Sequence, residues 1–285
     1  MNAYKKNKLS RSWWGSLFLG MFLLCMVAFT ALPFVFSIVQ SLKPIDELFV
    51  FPPRLTVSRP TLENYSSLFY LTGTTLVPVT RYLFNSLLLT LLGTTGNVIV
   101  CSMAAYPLSK LTFHGSKWLF NLVVLSLLFT YEVTFIPNYV VMSGLGLLDT
   151  FWAVLLPAMA TPLGLFLMKQ FMEQIPDAVI ESARVDGAGT FKTFISIVMP
   201  QVKPAWLTLV IFSFQALWNR EGLEFIFSDE LKMFPTILKQ ISSSGISHAG
   251  AAAAAAVVLM VPPIAVFLMS QSNVLETMAS SGIKE

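Results

Sequence analysis

One charged stretch stands out in this otherwise apolar chain. Residues 181–187 read Glu-Ser-Ala-Arg-Val-Asp-Gly, and residues 197–200 read Ile-Val-Met-Pro. Carboxylates and an arginine can form ion pairs, a glycine permits a turn, and the small and aliphatic side chains can be buried. These residue types suit non-covalent binding, so a charged segment between two long apolar segments suggests a surface that binds a soluble partner.

Helix signals give this segment a shape. Pro176 suits the first turn of a helix over 177–185, and Gly187 and Gly189 permit the turn that ends it. A second short helix is predicted over 190–198, ended by the prolines at 200 and 204. We call residues 173–203 the hook. The alternative is an amphipathic loop that lies flat on a membrane.

Residues with covalent or metal chemistry are scarce. His114 and His248 fall on opposite sides of the predicted membrane, and Cys25 and Cys101 lie inside apolar runs without metal-ligand spacing. The two thiols are interpreted as ordinary buried side chains. The sequence also contains no Gly-x-x-x-x-Gly-Lys-Ser/Thr phosphate loop, so we expect no ATP binding by this chain.

Composition indicates a membrane protein. Hydrophobic residues make up 55% of the chain and charged residues 12%, whereas soluble domains are roughly a quarter charged. A net charge of +3 is too small to argue for a nucleic-acid partner. Since a span needs about 20 apolar residues, we predict six spans in one transmembrane domain over 1–285: about 14–40, 82–106, 118–142, 151–172, 204–222 and 250–272.

Basic residues predict the orientation. The amino-terminal tail carries Lys5, Lys6, Lys8 and Arg11. With the segments after the second and fourth spans and Lys284, that side holds eleven of the 18 lysines and arginines. The positive-inside rule therefore places the hook and both termini in the cytoplasm, with lipid around the spans.

The hook resembles the coupling motif of the membrane subunits of ATP-binding-cassette (ABC) importers, which reads Glu-Ala-Ala, three residues, Gly, nine residues, Ile, one residue, Leu-Pro. The chain departs from it at Ser182 and Met199. The sequence Asp-Gly-Ala over 186–188 is similar to the carbohydrate-importing branch. Asn85-Ser86, Ala104-Ala105-Tyr106, Trp218-Asn219 and the end over 281–284 also resemble this family. The resemblance implies that the residues that couple to the ATPase are Glu181, Ser182, Ala183, Asp186, Gly187, Ala188, Phe194, Ile197 and Pro200.

This resemblance implies an all-α, six-span type I ABC importer permease with a cytoplasmic coupling helix in a bacterial inner membrane. It implies a second, homologous permease subunit, two ATPase subunits that hold ATP and magnesium, and an extracytoplasmic solute-binding protein. The hook would sit in a groove of one ATPase and move with it. The chain would form half of the path for a sugar or oligosaccharide and perform no covalent chemistry.

Polar and aromatic residues within the spans are candidates for that path. Glu132 is the foremost, because a carboxylate inside a span is costly and usually faces a cavity or a partner. Amides can bond sugar hydroxyls and aromatic rings can stack on sugar faces. The other candidates are Tyr131, Asn138, Gln215, Trp218 and Asn219. Each has an alternative: Glu132 as a counter-ion for the partner permease, Asn138 as a partner for backbone groups freed by a proline, and Trp218 as an interface anchor.

Two other functions stay open at this point. The same importer architecture can carry a non-sugar polar solute. A polytopic membrane enzyme would need paired acids or a metal cluster at one membrane face, and the sequence shows neither.

Overall fold

The computed structural model describes residues 13–52, 54–73 and 77–281. The basic tail over 1–12 and the end over 282–285 lie outside these residues. Within the described part the chain is helical and forms no strand, which confirms the all-α prediction. The helices are α1 (Trp13–Ser41), α2 (Ile45–Leu48), α3 (Glu63–Gly73), α4 (Val79–Lys110), α5 (Ser116–Ser126), α6 (Tyr131–Gly144), α7 (Phe151–Met159), α8 (Pro162–Glu173), α9 (Asp177–Val185), α10 (Thr190–Thr193), α11 (Met199–Gln201), α12 (Lys203–Trp218), α13 (Phe234–Ser243) and α14 (Ala249–Ser281).

Four of the described helical segments are long and apolar enough to cross a membrane: Trp13–Ser41, Val79–Lys110, Phe151–Glu173 and Ala249–Gln271. Two further pairs qualify only if each bent pair is one span. The count of spans in the described residues is thus four to six, which matches the predicted fold class, while the division into six spans stays a prediction.

The structure differs from the predicted spans at two places. The segment predicted as one span over 118–142 is the pair α5 and α6, bent by 113° at residues 127–130. Those four residues include no glycine or proline, so the apolar run showed the length of the segment but not its bend. The span predicted to reach residue 222 leaves the helix after Trp218, and Gly222 then takes a positive φ of 70°.

The chain divides into two compact units. The first contains residues up to Leu68 and Ser244–Val257. In it, the buried Asn64 side chain donates to the carbonyls of Ser41 and Lys43 at 2.8 and 2.7 Å. A Cβ on Gly250 would stand 2.0 Å from the Asn64 amide oxygen, so only glycine fits there. The apolar face of α1 is unburied, as expected for a helix in lipid.

The second unit, Phe69–Ser243 with the chain from Val258, is built around α4, which contacts α7, α8 and α12. Gly93 and Gly96 permit the close approach, since a Cβ would meet Leu217 at 2.6 Å and Met159 at 2.3 Å. Small residues serve this purpose between membrane helices.

The side chain of Asn97, within this packing, supplies a hydrogen bond that is missing at the break between α7 and α8. Pro162 has no N–H, so the carbonyl of Ala158 four residues earlier loses its helical donor. The amide of Asn97, which is fully buried, donates to that carbonyl at 2.8 Å. Its oxygen accepts from the hydroxyl of Ser213 on α12 at 3.2 Å. Asn97 therefore joins α4, the α7–α8 break and α12.

Candidate functional site

The first half of the hook is α9 with its terminating turn. The helix spans Asp177–Val185, as predicted, and Pro176 is its N-cap residue and not part of the first turn. Gly187 has φ +79° and donates to the Arg184 carbonyl at 3.0 Å, while Ala188 donates to the Ala183 carbonyl at 2.9 Å. This pair of bonds is a Schellman motif, in which the glycine takes the left-handed conformation.

The second half of the hook is less regular than the predicted helix over 190–198. It consists of α10, a π-helical turn over Phe194–Val198, and α11, which includes Pro200. The wider turn places both Phe194 and Val198 in the core. Pro204 lies in the first turn of α12, where a proline is tolerated, so it does not interrupt the helix.

The base of the hook is packed against the ends of two spans. Its buried side chains share one apolar cluster with α4 and α8. The Phe194 ring lies 5.3 Å from the ring of Tyr106 on α4. Burial of an isoleucine, valine or phenylalanine contributes about 1.5–3 kcal/mol each. The members of this cluster from the hook are Ile175, Ile180, Phe194, Val198 and Val202. This burial packs the base of the hook against α4 and α8, which does not fit a loop lying flat on a membrane.

The structure separates the predicted coupling residues into two groups. Ala183 and Phe194 are buried within this chain, and Ala188 and Ile197 are half-buried. The remainder, which can meet a partner, are Glu181, Ser182, Asp186, Gly187 and Pro200.

Several apolar side chains are exposed at the hook. Val185 is 87% exposed and Phe191 66% exposed, and Ile195 is also exposed. Phe191, Phe194 and Ile195 fall at helical spacing in the sequence, but of the three only Phe194 is buried. The π-helical turn changes which residues share a face, and no sequence signal indicated it.

The predicted path residues lie mainly on α6 and α12. Glu132 is exposed in the first turn of α6, where a carboxylate is favoured by the helix dipole. Gln215 and Asn219 are exposed, and Asn138 is half-buried. Within the described residues no ion pair involves Glu132, so its proposed counter-ion is not on the described part of this chain.

Trp218 has a different environment. It is 2% exposed, its indole nitrogen donates to the Leu259 carbonyl on α14 at 2.7 Å, and its ring stacks on Phe214. Its side chain is enclosed within this chain. In this chain it joins α12 to α14.

Tyr131 belongs to a cluster that sequence reasoning missed. Its hydroxyl donates to a Glu224 carboxylate oxygen at 2.5 Å, and Arg220 pairs with the same oxygen at 3.1 Å. The Arg220 guanidinium also lies over the Tyr131 ring, 5.4 Å from its centre. Burial raises the pKa of Glu224, but the hydrogen bond from Tyr131 and the charge of Arg220 outweigh it, so the net pKa is lowered. In the sequence, the spacing of four residues between Arg220 and Glu224 was the signal from which this cluster could have been predicted.

The same loop is held by Asp149, which has φ +56°. Its carboxylate accepts from the backbone N–H groups of Phe227 and Ser228 at 2.9 and 2.8 Å, and from the Ser228 hydroxyl. These bonds from Ser228 and Phe227 lower the pKa of Asp149. The loop between α6 and α7 is thereby fixed to the loop after α12.

Asn85 and Ser86 hold the next part of this loop. The Asn85 amide donates to the carbonyls of Glu230 and Lys232 at 2.8 and 3.0 Å, and the Ser86 hydroxyl accepts from the Phe234 N–H at 2.8 Å. Two residues noticed only as part of a resemblance therefore have a structural role at the start of α4.

Metal chemistry finds no support among the described side chains. They include no group of three or more histidine, cysteine, aspartate or glutamate residues arranged to hold a metal ion. Cys101 is buried and Cys25 exposed, both as free thiols, so the prediction of two buried thiols holds only for Cys101.

Comparison with known proteins gives the family. Residues 116–277 match the profile of the binding-protein-dependent transport system inner membrane component. The polygalacturonan/rhamnogalacturonan transport system permease protein YtcP of Bacillus subtilis is 30% identical over 77% of this chain and 75% of that protein. The sn-glycerol-3-phosphate transport system permease protein UgpE of Yersinia enterocolitica is 30% identical over 80% of this chain and 83% of its own length.

A solved structure shows the same fold. It is a chain of a bacterial ABC transporter involved in the import of the acidic polysaccharide alginate, with a TM-score of 0.76 and 20% identity. The match covers 95% of this chain and 99% of that one. Fold, family and apolar helices agree, and the predicted resemblance is confirmed: the chain belongs to the binding-protein-dependent transport system inner membrane components, the permease subunits of ABC transporters, which are transport components rather than enzymes.

Proposed function

We propose that this chain forms half of the translocation path for a sugar or oligosaccharide and couples to a separate ATPase through the hook. The observation that carries the proposal is the construction of the hook: a base buried with α4 and α8, and a tip that exposes Glu181, Asp186 and apolar side chains. A packed base and an exposed, partly apolar tip suit a segment that docks on a second protein and transmits the movement of that protein to the spans.

The proposed mechanism is rigid-body coupling. The ATPases close on ATP and the hook follows the groove that holds it. Because the base of the hook is packed with α4 and α8, these spans move with it and the path changes from inward-open to outward-open. Hydrolysis resets the arrangement. ATP and magnesium bind to the partner ATPases in this scheme, and this chain supplies only the moving surface.

The proposed assembly contains a second homologous permease, two ATPase subunits and an extracytoplasmic binding protein. The family description supports a binding protein as a partner. The asymmetry of basic residues in the sequence supports cytoplasmic termini and a cytoplasmic hook.

Sugar is the favoured cargo. The name of YtcP specifies polymeric sugar acids. The exposed groups of α6 and α12, namely Tyr131, Glu132, Gln215 and Asn219, supply aromatic faces and hydrogen-bonding groups. UgpE, whose name specifies sn-glycerol-3-phosphate, supports the second candidate, a small polar solute that is not a sugar.

Two measurements test the proposal. The tagged chain, purified from its host in mild detergent, should copurify with an ATPase subunit and a second permease identified by mass spectrometry. Cells that lack the chain should lose uptake of one solute from a labelled panel of oligogalacturonides, arabinooligosaccharides and sn-glycerol-3-phosphate. Absence of any ATPase from the purified complex would refute the coupling role, and loss of sn-glycerol-3-phosphate uptake alone would favour the second candidate.

A further inference from the structure

Lys110, the last residue of α4, is nearly enclosed at the base of the hook. Its side chain is 4% exposed. Its ammonium donates to the Ile175 carbonyl at 2.5 Å and to the Asp177 carboxylate at 2.7 Å, and it lies 3.5 Å from the Glu173 carbonyl. A buried ammonium is costly without acceptors, and here the last carbonyl of α8, the Ile175 carbonyl in the connection to α9 and a carboxylate surround it.

Three helix ends meet at this ammonium. The α8 helix ends at Glu173, so its last carbonyls lack helical donors and attract a cation. The α9 helix begins at Asp177, whose carboxylate is favoured at a helix amino terminus. One side chain from α4 therefore binds the end of α8 and the start of the hook helix.

Most other contacts at this base are of a different kind. Ile180, Phe194 and Val198 pack through apolar surface, and the hydrophobic effect has no preferred direction. Such surfaces can slide while staying buried. Hydrogen bonds from an ammonium to fixed carbonyls have defined directions, so Lys110 can resist sliding where the apolar contacts cannot.

We propose that Lys110 is the positioning residue that fixes α9 to the ends of α4 and α8, so that displacement of the hook reaches these spans. This rests on the proposed coupling role of the hook. Without the ammonium, the hook still docks on the ATPase but moves relative to α4. Hydrolysis of ATP then proceeds with a smaller change in the path.

The test uses the complex copurified with its ATPases, in lipid nanodiscs. Cys25 and Cys101 are replaced by alanine, and Gln215, exposed on α12, is replaced by cysteine. Labelling of this cysteine by a membrane-impermeant maleimide is measured with and without ATP and orthovanadate, which traps the ATPases closed. ATP hydrolysis is measured on the same sample without vanadate.

In the parent complex trapping should raise the labelling rate. Lys110→Met should reduce that increase roughly tenfold to a hundredfold, as loss of a hydrogen bond to a charged group does to an equilibrium, while hydrolysis and subunit yield are kept. Lys110→Arg should restore most of the increase, since a guanidinium can reach the same acceptors. The matched control is Lys117→Met, the same change on an exposed lysine for which the described residues show no ion pair; it should behave as the parent.

The outcomes separate the two proposals. A parent chain that copurifies without an ATPase refutes the coupling role itself. A Lys110→Met complex at parental yield with an unchanged labelling increase overturns only the role of Lys110. If Lys110→Met does not assemble, the labelling of an Asp177→Lys complex tests the role of Lys110 in its place. The Asp177 side chain is 78% exposed, so the protein can fold with this change, which places a second cation beside Lys110. A reduced increase supports the proposal, and an unchanged one overturns it.

Discussion

Replacement of Gly187 tests most directly whether the hook needs its folded turn to bind the ATPase. Gly187 has φ +79°, and no heavy atom lies within 4 Å of the position its Cβ would take. The Cβ of a valine there meets no neighbouring atom, so the main cost is the backbone conformation. The left-handed region costs an L-residue roughly 1–2 kcal/mol, and a β-branched residue tolerates it least.

A second contribution comes from the turn itself. If valine shifts the backbone out of the left-handed region, the two bonds that end α9 are lost, each contributing about 0.5–1.5 kcal/mol. The smaller of the two penalties determines the outcome, so Gly187→Val should cost roughly 1–2 kcal/mol. This is a factor of about 5 to 30 in the population of the native turn. The base of the hook, buried through Ile180 and Phe194, should remain in place.

The chain supplies its own control two residues later. Gly189 also has no heavy atom within 4 Å of its Cβ position, but its φ of −67° suits any residue. We therefore expect Gly187→Val to reduce copurification of the ATPase and solute uptake several-fold at unchanged abundance, and Gly189→Val to have little effect on the turn. Gly187→Asn should be milder, since asparagine tolerates the left-handed region. Wild-type uptake by Gly187→Val at normal abundance would refute this account of the hook.

Four further predictions concern other parts of the chain. With the native cysteines replaced, a cysteine at Gly189 should be protected from an impermeant thiol reagent in intact cells and one at Ser58 should react; the reverse pattern would overturn the predicted orientation. For a path-lining Glu132, the Gln variant should weaken transport modestly and the Ala variant more, both with normal complex yield, whereas loss of yield in both would indicate a buried ion pair with a partner chain. Hydrogen bonds lower the folded-state pKa of Asp149. The contribution of this carboxylate to stability is therefore full above its ordinary pKa of about 4 and is lost as pH falls through the lowered value. The midpoint of thermal unfolding should fall less at acid pH for Asp149→Asn than for the parent, and an equal fall would contradict the role of the loop contact. Replacement of Asn97 by leucine should leave the Ala158 carbonyl unpaired and cost about 1–3 kcal/mol, measured by thermal unfolding in detergent, and an unchanged midpoint would show that the break between α7 and α8 needs no donor.

Several features of this protein follow from its sequence alone. Span length depends only on how many apolar residues cross a fixed hydrocarbon thickness, so the apolar segments were predictable within a few residues from composition. The turn at Gly187 was also predictable, because a glycine after a short helix can adopt the conformation that ends the helix without contact to any distant residue. Motif spacing in the hook then indicated the family.

Other features were decided by contacts between residues distant in the chain. Asn97 lies 61 residues from the carbonyl it repairs, and Trp218 lies 41 residues from its acceptor on α14. Tyr131 meets Glu224 across 93 residues. Residue type made Trp218 and Tyr131 candidates for the path, but type cannot show whether a polar group faces a path or bonds with another part of the chain. That choice is made by tertiary packing, since in a membrane each buried polar group must find a partner within the protein.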